Sequence, residues 1–86
     1  MIRNTGFNPQ PTDTLNHSFY ASGKIKAEAW MRQGIPANGW SCKTFYESGR
    51  LELHECYSSS MVIEQLFYGE EGEITAHKIY SHSKKN

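Results

Sequence analysis

Eighty-six residues with nine basic and nine acidic side chains leave room for one domain and give no net charge. Neutrality removes the electrostatic case for nucleic acid or an anionic membrane surface as a partner. No apolar run reaches the length needed to span a bilayer as a helix, and a chain this short buries a smaller share of its surface than a mid-sized domain does.

Residues 1–8 hold no apolar core of a leader peptide, so the chain reads as soluble, cytoplasmic and made without a signal. Residues 1–14 carry Asn, Gly, Pro, Thr and Asp without periodicity. Pro9 and Pro11 favour an irregular, extended N-terminal arm that caps one edge of a sheet. Residues 15–20 then alternate, with Leu15, His17 and Phe19 on one face of a strand and Asn16, Ser18 and Tyr20 on the other. The chain turns at Gly23, and residues 25–31 return. Ala27, Glu28, Ala29, Met31 and Arg32 are good helix formers, which makes a helix over residues 24–33 the competing expectation. The matching segments further on carry Thr75, Ile79 and several aromatics, and these favour strand.

Residues 31–39 form a connector with two glycines, a proline and the turn-forming pair Asn38-Gly39. Residues 40–46 and 50–57 follow as the third and fourth strands about Gly49, and Ser58-Ser59-Ser60 is a short link. Residues 61–68 and 73–80 are the fifth and sixth strands about Gly72. The fifth is apolar on both faces, as a strand covered on both sides or at an interface would be. Residues 81–86 form a polar tail expected to fray.

The same pattern occurs three times: an aromatic pair, a short polar turn closed by glycine, a charged residue and an aliphatic. The pairs Phe19-Tyr20, Phe45-Tyr46 and Phe67-Tyr68 recur 26 and then 22 residues on, and the third turn reads as one residue longer. Ile25 and Ala27, Leu51 and Leu53, and Ile74 and Ala76 are expected to share a face of each return strand. A lone hairpin is marginal in water, whereas several with a shared apolar face persist. The expected fold is therefore all-β: an antiparallel meander of about six strands over residues 15–80, built from three stacked hairpins.

Phe45-Tyr46-Glu47-Ser48-Gly49-Arg50-Leu51, the glycine-bounded connector before Trp40, and Phe67-Tyr68 with Gly72-Glu73-Ile74 resemble the MORN-variant repeats of bacterial antitoxin-like proteins. The resemblance covers residues 18–80. The second connector departs from it in lacking the glycine pair. It implies a repeated-hairpin sheet and a setting of antitoxins, immunity proteins, phage-type inhibitors or scaffolds.

Chemistry is sparse. His17, His54, His77 and His82 are the histidines; His54 and His77 hold the same repeat position, two strands or roughly 10 Å apart at ~4.8 Å per strand, and are expected on a solvated face without a metal. Cys42 and Cys56 form no CxxC pair and read as reduced thiols, with a disulfide across neighbouring strands as the alternative. No acid stands beside a Ser/His pair and no phosphate loop appears, so neither an enzyme nor a cofactor site is expected. The aromatics remain. Trp30, Trp40, Tyr20, Tyr46, Tyr57 and Tyr68 are the candidate partner-binding residues, since Tyr and Trp carry binding hot spots. The expected partner is a protein: a toxin, a nuclease or a defence complex, with a homodimer through an edge strand as the alternative.

Overall fold

The computed structural model describes residues 6–80; the expected fraying of the tail lies outside the described residues. Seven strands follow in order: β1 (Thr14–Phe19), β2 (Ile25–Arg32), β3 (Ile35–Pro36), β4 (Gly39–Phe45), β5 (Leu51–Ser58), β6 (Met61–Tyr68) and β7 (Ile74–Ile79). All pair antiparallel in one sheet ordered β1-β2-β4-β5-β6-β7, and the two-residue β3 pairs only with β2. Among the described residues there is no helix, so none crosses a membrane. Residues 25–32 are strand, as their counterparts in the other two copies require.

All three hairpins turn in one way. Gly23, Gly49 and Gly72 each donate their N–H to the carbonyl three residues back, at Tyr20, Tyr46 and Gly69. The amides of those same residues bond the carbonyls of Lys24, Arg50 and Glu73. Each closing glycine has φ between +93° and +99°, a conformation that a Cβ would strain. The third turn is thus no longer than the others. What moves is the aromatic pair, because Gly69, not Tyr68, stands where Tyr20 and Tyr46 stand.

A second irregularity also repeats. Phe19 pairs with Ile25 but Ser18 with Ala27; Phe45 with Leu51 but Thr44 with Leu53; Tyr68 with Ile74 but Phe67 with Ala76. One extra residue (Lys26, Glu52 or Thr75) bulges from each return strand and reverses the alternation there. Ile25 and Ala27 therefore face opposite ways, as do their counterparts, contrary to the simple period of two.

The connectors depend on positive φ. Gln33 and Gly34, at φ 55° and 83°, make the tight turn from β2 into β3. The turn does not use Asn38-Gly39; instead Asn38 accepts, on its side-chain oxygen, the N–H of Ser59, at 2.9 Å. Ser59 and Ser60, at φ 52° and 69°, close the β5–β6 hairpin. Both are non-glycine residues in left-handed geometry, and the Asn38 bond holds one of them in place.

The sheet is a single layer. Ala37, Ser41, Cys42, His54 and Leu66 are buried, and no large side chain among the described residues is fully enclosed. Four of these five lie on β4, β5 and β6, so the best-protected part of the molecule is the middle of the sheet.

Candidate interaction face

Directly opposed residues of antiparallel strands share a face. The register therefore sets one row across all six long strands: His17, Glu28, Lys43, His54, Leu66 and His77. We call this the front face. Asn16, Ala29, Cys42, Glu55, Gln65 and Lys78 form the adjacent row on the back.

A histidine–carboxylate contact stands at each end of the front row. The His77 imidazole lies 2.6 Å from the Glu64 carboxylate, and His17 lies 3.5 Å from Glu28. Between them His54 is only 4% exposed. Its Nε2 lies 3.3 Å from the Trp40 carbonyl and its ring 5.0 Å from the Trp40 ring. His54 is thus an enclosed group and not the solvated one that alternation implied. Burial pulls its pKa below the usual imidazole value; the Trp40 carbonyl opposes this weakly and the Lys43 ammonium adds to it. Leu66, on β6, separates His54 from His77, and among the described residues no three metal-ligating side chains gather.

The N-terminal arm packs against the same face. Phe7 stacks obliquely on Trp30 at 6.2 Å, and its ring edge lies 3.4 Å from where a Cβ on Gly39 would stand. Asp13 anchors the arm's end: its carboxylate takes two bonds from the Arg32 guanidinium, at 2.7 and 2.9 Å, and one from the Gln10 amide. The Arg32 bonds, then the Gln10 amide, hold its pKa down to about 2. These contacts run to β2 and β4 inside the sheet.

The candidate aromatics divide among three places. Trp30 and Trp40 lie on the front face under and beside Phe7. Tyr68, opposite Ile74, is also at the front. Tyr57 follows Cys56 along β5 and faces back, where burial, with Glu55 and Cys42 adding, raises its phenol pKa. Tyr20 and Tyr46 do something the sequence did not suggest. The Tyr20 hydroxyl donates to the Phe45 carbonyl at 2.6 Å, and the Tyr46 hydroxyl to the Tyr68 carbonyl at 2.7 Å. Each ring stitches its own hairpin to the next. In the last hairpin the equivalent residue is Gly69, and the Glu73 carboxylate occupies the space a side chain there would take.

The cysteines cannot pair. Cys42 is opposite Glu55, the neighbour of Cys56, so the two thiols point to opposite faces and form no disulfide with each other. Burial raises the Cys42 pKa, with the Ser41 hydroxyl opposing this and the Glu55 carboxylate adding to it.

Sequence reasoning missed the apolar row at the turn end of the front face. The pairs Phe19 with Ile25, Phe45 with Leu51, and Tyr68 with Ile74 lie side by side there, and Ile25 and Phe45 line a shared hollow between the first two turns. Phe19 and Ile74, at its two ends, are each 58% exposed. The signal was present as the aromatic before each turn and the aliphatic after it, but the bulge that brings them to one face leaves no mark in the alternation. No family model, curated protein or solved structure matches this chain.

Proposed function

We propose that this chain is a non-enzymatic binding protein that inhibits a larger effector by occlusion, as an antitoxin, an immunity protein or a phage-type inhibitor does. The observation that carries the reading is the six-residue apolar row across the front of all three hairpins. A single-layer sheet has no second layer to cover such a row. Kinship with MORN-variant repeats belongs to the same proposal, and the threefold recurrence of one turn and one bulge supports it.

The test uses the inner strands β5 and β6, away from the sheet edges. The purified protein is expected to form a stoichiometric complex with one larger protein of its host and to abolish that protein's activity. Leu51→Asn and Tyr68→Asn, with far-UV circular dichroism unchanged, are expected to weaken the complex at least about tenfold, as truncation within an interface core does. A partner whose activity survives saturation refutes occlusion. Equal affinity of the substituted proteins refutes the front face as the surface used.

A further inference from the structure

The outermost strands of the sheet are β1 and β7, and six long strands alternate in direction between them. A second copy laid with its β1 beside β7 therefore continues the antiparallel order without a break. The geometry of such a junction is already present twice within the chain. Where β2 meets β4, Ala27, Glu28 and Ala29 oppose Thr44, Lys43 and Cys42. Where β5 meets β6, the equivalent Leu53, His54 and Glu55 oppose Phe67, Leu66 and Gln65. The same register carried onto β7 sets Ala76, His77 and Lys78 against Ser18, His17 and Asn16 of the second copy, and Ile79 against its Leu15.

Two independent features suit that register. The first is apolar. Ile79, Ile74 and Phe19, at 70%, 58% and 58% the most exposed large hydrophobic side chains among the described residues, all lie on these two strands and on the front face. In the stacked arrangement Ile74 comes beside Phe19 as Ile25 comes beside Phe45 within the chain. The second is charge. The turn next to β1 carries Lys24, with Lys26 bulging from β2 just after it, and the turn next to β7 carries Glu70, Glu71 and Glu73. Within the chain the Arg50 guanidinium extends toward the following hairpin and lies 3.7 Å from the Cβ position of Gly72. Glu73 is the counterpart of Arg50; its carboxylate rests over Gly69 of its own turn, and the acidic turn that it shares with Glu70 and Glu71 comes beside Gly23 and Lys24 of the second copy.

We propose that copies of this chain stack head to tail, β7 of one against β1 of the next, into an open sheet that lengthens with concentration. The contact is heterologous, so nothing in its symmetry stops growth at two copies. It is weaker than the internal junctions because Gly69 supplies no tyrosine hydroxyl to the Phe19 carbonyl of the next copy. Assembly is consequently reversible. The proposal concerns the sheet's edges and not its front face, so either reading can fail while the other stands.

The experiment is sedimentation velocity of the full chain at low salt over a wide concentration range, with two charge-reversed variants. The unaltered chain is expected to show a concentration-dependent series of species beyond the dimer. Lys24→Glu/Lys26→Glu makes both ends acidic and Glu70→Lys/Glu73→Lys makes both ends basic; each alone is expected to raise the concentration needed for assembly at least tenfold. An equimolar mixture of the two is expected to restore assembly, because each acidic end then meets a basic one. A chain that stays monomeric at millimolar concentration, a species that stops at the dimer, or a mixture no better than its components overturns the proposal. Circular dichroism of each variant reports whether the monomer fold is intact, and these turn positions are exposed and outside the front apolar row.

Discussion

His54 shows how strongly one side chain can depend on its neighbours' register. It has the same place in its hairpin as Glu28 and His77, yet it alone of the three is enclosed, because it sits on the middle strand beneath Trp40. Its depressed pKa sets a sign. In the unfolded chain the imidazole takes up a proton as pH falls through about 6.5, while in the fold it resists protonation, so stability is lost as pH falls from that value towards the lower folded-state pKa. The midpoint of urea unfolding is expected to drop between pH 7 and pH 5, and His54→Gln, which keeps a donor for the Trp40 carbonyl, is expected to flatten that drop. Ser60 offers a prediction of opposite sign. Held at φ 69°, it bears a left-handed strain of about 1–2 kcal/mol that glycine would not, set against glycine's extra chain entropy of roughly 0.5–1. Ser60→Gly is therefore expected to raise Tm by a few degrees in a calorimetric scan.

At the scale of the element, the hairpin is defined less by its strands than by two local devices, a glycine-closed turn and a bulge on the return strand. The turn was legible from residues alone, because glycine two places before an aliphatic, with polar residues ahead of it, has few other uses. The bulge was not, since Lys26, Glu52 and Thr75 share no chemistry that marks an unpaired position. Missing it misplaced Ile25, Leu51 and Ile74 by a face, and with them the apolar row. The tyrosine stitches were hidden for a different reason: a side-chain hydroxyl bonded to a carbonyl 25 or 22 residues on depends on how hairpins abut, which no short-range pattern records. Tyr20→Phe keeps the ring and removes the bond. It is expected to cost about 0.5–1.5 kcal/mol by chemical denaturation, with the m-value unchanged. Hydrogen exchange on Ala27 and Thr44, the nearest paired residues, is expected to quicken in the same variant.

For the molecule as a whole, strand order and the antiparallel meander followed from the repeat, while the distribution of stability did not. The composition gives every hairpin a similar share of apolar residues, but burial gathers in β4, β5 and β6, and the edge strands β1 and β7, with a neighbour on one side only, hold no buried residue. Amides of these three strands are expected to exchange at the rate of global unfolding. Those of β1 and β7 are expected to exchange at least tenfold faster by local opening. Native-state exchange followed by NMR reads this directly, and uniform protection across all six long strands would show that the sheet opens as one unit.

Gly69 stands in the third hairpin where tyrosine stands in the first two. Each of those reaches forward through its hydroxyl to the hairpin that follows; in the third the Glu73 carboxylate folds into the gap instead. A gene that duplicated its middle hairpin, Tyr46 included, would widen the platform by two strands, roughly 10 Å at ~4.8 Å per strand, and leave both ends as they are.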